Sequence, residues 1–152
     1  MKVRPAESGD LEAILQLEQR TANAPHWTRA AYRQALDSAE HCLFVVGQSG
    51  IHGFSAGSVA AGEAELESVV VDLNSRRHGV GRELCEAVVL WAREAGAHSI
   101  TLEVRSSSTG AVTLYRSLGF REFGFRPSYY TAPADDALIL RLSLRLSVEQ
   151  PN

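Results

Sequence analysis

The sequence predicts an α/β (α+β) fold: a mixed, mostly antiparallel, twisted sheet with helices on both faces. Three observations carry this. First, a β-branched run at 67–72, a helical stripe over Val80, Leu84, Ala87, Val88, Trp91 and Ala95, and an alternating segment at Ser99–Arg105 make a strand–helix–strand unit. The two strands of such a unit run parallel. Second, apolar runs at 42–47 and 51–60, joined by the turn Gln48-Ser49-Gly50, form a hairpin that a strand at 63–71 extends. Third, apolar residues recur at every second position from Leu138 to Leu146, which makes a last strand.

The remaining elements follow in order. Residues 3–6 make a short first strand. Ser8 or Asp10 caps a helix that buries Leu11, Ile14 and Leu15, carries Glu18 at the same spacing and ends near Arg20. Pro25 disfavours helix before it, so Asn23 to Trp27 is a loop, and Thr28 caps a second helix that runs to about Leu36. The long helix spans 79–95 and is closed by Gly96. Ile100, Leu102 and Val104 take one face of the next strand; Thr101, Glu103 and Arg105 take the other. Residues 106–108 form a loop, 109–118 a helix stopped by Gly119, 120–125 a strand, 126–136 a long connection and 137–146 the final strand. One domain over residues 1–147 is expected, with a frayed tail at 148–152.

A formal net charge of −3 over 152 residues argues against a nucleic-acid binder, which carries a basic face. No apolar run is long enough to span a bilayer, and the first residues have no apolar signal region, so no membrane association and a cytoplasmic location are expected. Cys42 and Cys85 stand far apart, and the histidines show no metal spacing; no metal is expected.

The stretch from Arg76 to Arg82 joins the β-branched strand to the long helix. Glycines there allow a sharp turn and close approach of a ligand, and the first N–H groups of the helix favour an anion. The spacing lacks the Gly-Lys-Ser/Thr of a Walker loop and the third glycine of a dinucleotide fingerprint, since that position is Leu84. It matches Arg/Gln-x-x-Gly-x-Gly/Ala through Arg76 or Arg77, Gly79 and Gly81. This resembles the pyrophosphate loop of coenzyme A-dependent N-acetyltransferases, the GNAT superfamily. The segments Leu102-Glu103-Val104-Arg105 and Ala111 to Phe120, with Tyr129-Tyr130 further on, are similar to the bacterial RimI subfamily, whose members acetylate the N-terminal alanine of a small-subunit ribosomal protein.

The resemblance implies a GNAT fold whose two central parallel strands splay apart, with acetyl-coenzyme A as cosubstrate and a protein or peptide N-terminus, such as that of a ribosomal protein, as acceptor. It places the cofactor on the backbone of Val69, Val70 and Val71, on the loop residues Arg76, Arg77, His78, Gly79, Val80, Gly81 and Arg82, and on Ser108, where the subfamily commonly has asparagine. It gives Glu103 the role of base and Tyr115 that of acid. Read without it, Glu103 is a surface carboxylate and Tyr115 a core aromatic. Tyr129, Tyr130 and Trp27 are candidate acceptor contacts, although on frequency alone Trp27 reads sooner as a core plug than as a wall of the cleft.

The chemistry fits these residue types. Amide formation from a thioester needs a neutral amine and a protonated leaving thiolate. A peptide α-amine, with a pKa of about 8, is about a tenth neutral at pH 7, whereas a lysine amine at about 10.4 is far less so. A modest base therefore suffices for the α-amine. Cys85, within the long helix, is poorly placed for an acyl-enzyme, so direct attack in a ternary complex is expected. Two rivals remain: the same transfer to another amine (lysine, polyamine, amino acid or drug), and a non-catalytic acetyl-coenzyme A sensor, which would require neither Glu103 nor Tyr115.

Overall fold

The computed structural model describes residues 2–21, 24, 26–48, 50–76 and 78–145. Asn23 and Pro25 of the first loop, Ser49 of the hairpin turn, Arg77, Leu146 and the tail at 148–152 lie outside the described residues.

The strands are β1 (Val3–Pro5), β2 (His41–Val46), β3 (Gly53–Ala60), β4 (Glu63–Val71), β5 (Ser99–Arg105), β6 (Arg121–Thr131) and β7 (Ala134–Ser143). The helices are α1 (Leu11–Gln19), α2 (Arg29–Asp37), α3 (Val80–Glu94) and α4 (Thr109–Ser117). All seven strands form one sheet in the order β1-β2-β3-β4-β5-β7-β6. Its one parallel pair is β4–β5, the two strands that α3 connects.

The helices cover the two faces as their apolar stripes dictate. Cys85, Val88, Val89 and Ala92 of α3 and Val112 of α4 pack on Ala64, Leu66, Ile100, Leu102 and Val104. On the other face, Leu11, Ile14, Leu15 and Leu17 of α1 and Tyr32 of α2 pack on Leu43, Val45, Phe54 and Val70. Val70 thus faces α1 and α2, although two-residue alternation from Leu66 would put it under α3. A β-bulge supplies the missing step: Ala56 pairs with Ser68, but Gly57 pairs with Leu66, so Glu67 is an extra residue.

The expected connection at 126–136 is instead the tip of a hairpin. β6 continues to Thr131, and β7 begins at Ala134 rather than at residue 137. Pro127, Ser128, Asp135 and Asp136 read locally as turn residues, but tertiary partners absorb each of them. A register shift between Arg126 and Tyr130 takes up Pro127 and Ser128, and β6 is an edge strand, where proline is tolerated. Ser128, at φ 53°, donates its N–H to Asp136 Oδ1 (2.8 Å). Asp135 accepts from the Ser106 hydroxyl (2.9 Å) and from Ser107 across the β5–α4 loop, which holds its pKa below the usual aspartate value. Arg105 donates to the carbonyls of Pro133 (2.8 Å) and Ala132 (3.3 Å), fixing the tip against β5. The third strand also starts later than expected, at Gly53, because His52 closes the preceding turn by donating to the Val46 carbonyl (2.7 Å).

Thr28 caps α2 as expected, accepting from the Ala31 N–H (3.1 Å). Glu18 is 1% exposed, and its Oε2 accepts from two donors, the Tyr32 hydroxyl and the Trp27 N–H (2.9 Å). This arrangement pins the end of α1 to the start of α2. Tyr32→Phe removes one donor from a buried carboxylate and should destabilise the fold by about 1–3 kcal/mol. In a chain of this size each kcal/mol lowers Tm by about 2–4 °C, which a thermal melt will read.

Candidate active site

The sheet opens between β4 and β5. The strands pair only at Glu63–Ser99, Ala64–Ile100 and Glu65–Thr101. Beyond that point β5 stays with β7 as far as Arg105, while residues 66–71 of β4 face no strand on that side among the described residues. Backbone N–H and C=O groups of β4 are therefore available to a ligand. A cavity of about 750 Å³ occupies the opening.

One end of the cavity is the Arg/Gly loop. Gly79 caps α3 at φ 78°, a conformation that favours glycine. Arg76, Gly79, Gly81 and Arg82 line the cavity, together with Val69, Val70 and Val71 of β4. Val80 does not: its side chain is buried against Val46 and Leu84 and anchors the helix start. His78 is exposed and outside the cavity lining, and Arg77 lies outside the described residues. Arg82 donates to the Ser117 hydroxyl (2.5 Å), and Arg76 to the Val71 carbonyl (3.3 Å), so both guanidinium groups are tethered at the mouth. Ser108, the N-cap of α4, and Gly110 complete this wall. A helix N-terminus, tethered cations and free strand amides fit an anionic, extended group such as coenzyme A.

The middle of the cavity brings Glu103 and Tyr115 together from opposite faces of the sheet. Tyr115 is half-buried on α4, its ring edge-on to Phe120 at 6.0 Å between centroids. Burial, then the neighbouring Cys85 and Tyr130, push its phenol well above the ordinary tyrosine value, so it stays protonated while an α-amine becomes neutral. Glu103 lies on the opposite face of β5. Arg126 Nε stands 3.1 Å from its Oε2, and the Tyr129 hydroxyl donates to Oε1 (3.3 Å). Cys85 is 0% exposed and its thiol is pushed up to about 12, chiefly by burial, which disfavours an acyl-cysteine.

The three aromatic candidates separate. Tyr130 lines the cavity, with the Arg105 guanidinium 4.2 Å above its ring. Tyr129 stands outside the lining, against Tyr130 at 5.1 Å between centroids. Trp27 stacks on Tyr32 (5.2 Å), and it is Thr21 and Ala24 of the same connection that line the cavity.

The sequence reading missed Glu65, Glu67, Arg105 and Arg126. Acidic residues alternate at Glu63, Glu65 and Glu67 in plain sight, but nothing in the sequence marks the bulge that sets Glu67 into the cavity. Burial raises the pKa of Glu65 and of Glu67 above the usual glutamate value; Glu103 adds to the shift at Glu65, and Glu65 to that at Glu67. Among the described residues no group of His, Cys, Asp and Glu is placed to hold a metal ion, and no helix is long and apolar enough to cross a membrane.

Residues 11–120 match the acetyltransferase (GNAT) family profile, and the chain belongs to that family. It is an N-acetyltransferase that takes its acetyl group from acetyl-coenzyme A. Within the family it is similar to RimI. It is 35% identical over 144 residues to the [ribosomal protein bS18]-alanine N-acetyltransferase of Escherichia coli, covering 92% of this chain and 95% of that protein. It is 32% identical over 121 residues to the N-alpha-acetyltransferase RimI of Mycobacterium tuberculosis, covering 76% and 74%. The crystal structure of the ribosomal-protein-S18-alanine N-acetyltransferase from E. coli superposes with a TM-score of 0.85 at 30% identity, over 99% of this chain and 98% of that one.

A Cβ at Gly81 would meet Leu114 at 3.4 Å and Val71 at 3.7 Å, both ordinary contacts, so the helix start tolerates a side chain there. Valine adds bulk at the cavity mouth. Gly81→Val should weaken acetyl-coenzyme A binding by roughly 1–3 kcal/mol, about fivefold to 150-fold, with an unchanged circular dichroism spectrum. Wild-type affinity by calorimetry would move the pyrophosphate away from this loop.

Proposed function

We propose that this chain acetylates the N-terminal α-amine of a protein, with a ribosomal protein as its acceptor, by direct attack within a ternary complex in the cytoplasm. The observation that carries the reading is the β4–β5 opening, which puts an anion-binding loop, a carboxylate and a protonated phenol around one cavity. The likeness to enzymes named for the N-terminal alanine of bS18 supports the choice of acceptor.

In this reading the loop from Arg76 to Arg82 holds the pyrophosphate, the free backbone of Val69 to Val71 orients the pantetheine arm, and Ser108 stands beside it. Glu103 takes a proton from the incoming ammonium. The amine nitrogen attacks the thioester carbonyl, and Tyr115 gives its proton to the departing sulfur. Holding both reactants in one cavity supplies much of the rate. Tyr129 and Tyr130 of the hairpin bound the acceptor's approach, and Trp27 supports the connection that carries Thr21 and Ala24.

The acceptor is tested by offering the enzyme two peptides, one beginning with a free alanine and the other N-terminally blocked but containing lysine. Acetylation of the first alone is expected. Preference for the second would replace the α-amine with a lysine, and no transfer to any amine, with acetyl-coenzyme A bound, would make the chain a sensor. The acid role has its own test. Tyr115→Phe should lower kcat roughly 10²–10⁴-fold with little change in acetyl-coenzyme A affinity, and an acyl donor with a more acidic thiol should restore the rate. Equal slowness with both donors would leave Tyr115 a packing residue.

A further inference from the structure

Two protons leave the acceptor nitrogen in this reaction, and Glu103 accounts for one of them. An α-ammonium nitrogen carries three protons, and the amide nitrogen of the product carries one. The first proton must leave before the nitrogen has a lone pair to attack with. The second leaves once the C–N bond has formed. Glu103 serves one departure, and Arg126 and Tyr129 already engage its two oxygens.

The β4 bulge supplies another carboxylate. Glu67, its extra residue, lines the same cavity as Glu103 and Tyr115. Bulges re-aim side chains beside active sites. Here the carboxylate lies near Ser58 of β3, His41 of β2 and Glu65 of its own strand, and Glu65 in turn faces Glu103 of β5. Its Oε1 is buried and has no hydrogen-bond partner among the described residues. A buried oxygen in that state is stabilised by any N–H that reaches it. Burial, then the charge of Glu65, raise its proton affinity, while His41 and a hydrogen bond from Ser58 oppose the shift; the net direction is upward, which makes the group a better base than a solvated glutamate.

We propose that Glu67 is the second proton acceptor of the active site: its Oε1 holds one N–H of the bound acceptor amine and takes that proton after the C–N bond has formed. The inference rests on the α-amine reading above. The steps balance. Glu103 removes the first proton, and the nitrogen lone pair forms the C–N bond. The C–S bond breaks with its electron pair on sulfur, which takes the Tyr115 proton. Glu67 takes the second nitrogen proton. One of the two carboxylate protons returns through solvent to Tyr115, and the other is released.

The test compares wild type, Glu67→Gln and Glu67→Asp with acetyl-coenzyme A and an alanine-initial peptide. Glutamine keeps the shape and an oxygen that accepts an N–H, but it takes no proton. Its kcat should fall roughly 10²-fold, with peptide KM, acetyl-coenzyme A affinity and Tm close to wild type, and aspartate should recover part of the loss. Wild-type kcat in Glu67→Gln overturns the assignment. So does a rise in peptide KM alone, which would make Glu67 only a binding group, or equal slowness of both variants with a lowered Tm, which would make it structural. Each of these leaves the α-amine reading standing. Wild-type enzyme silent on the alanine peptide overturns that reading, and this assignment with it.

Discussion

The short pairing between β4 and β5 is the constraint on which the site depends. Two parallel strands joined by a helix normally stay hydrogen-bonded along their length, because unpaired backbone polar groups are costly when buried. Here the ladder ends at Glu65–Thr101. β5 keeps its partner on the other side, β7, through Arg105, so only one side of the sheet gives way. The opening leaves the backbone groups of residues 66–71 available to a ligand. It also makes a passage through the sheet, lined by residues from the face of α3 and α4 and from the face of α1 and α2.

Charge divides along that passage. The loop end carries Arg76, Arg82 and the N-terminus of α3. The face of α1 and α2 carries Glu65, Glu67 and Glu103, the last paired with Arg126; burial and a neighbouring carboxylate raise the proton affinity of the first two. The cavity thus has a basic end and a wall that carries carboxylates. The chain's modest overall charge conceals this separation.

The hairpin of β6 and β7 gives the acceptor side its edge. Asp135 accepts from the β5–α4 loop, Arg105 at the end of β5 donates to the tip, and Asp136 holds Ser128 within the hairpin; this firm mounting puts Arg126 and Tyr129 on Glu103 and Tyr130 over the cavity. The same residues misled the sequence reading. Pro127, Ser128 and the two aspartates are turn formers when judged by neighbours in the chain, yet the first two sit in the bulged edge strand β6 and the aspartates in β7, where Asp135 accepts from Ser106, 29 positions away.

What the sequence determined by itself is local in origin. Periods of two and 3.6 residues mark strands and helices because side-chain direction follows backbone geometry. The two glycines after a β-branched run mark the anion loop, and a helix between two strands makes them parallel. Glu103 and Tyr115 were legible as residues, through their spacing and the family likeness they carry. Tertiary structure alone decided what they touch. It decided that β7 lies between β5 and β6, that the ladder stops after three pairs, and that Trp27 turns to Tyr32 while Tyr130 turns to the cavity. It also decided that one inserted residue in β4, Glu67, shifts the alternation and lines the same cavity as Glu103 and Tyr115. A bulge arises from how two strands settle against each other and the helices above and below them, and the pattern of either strand alone does not contain it.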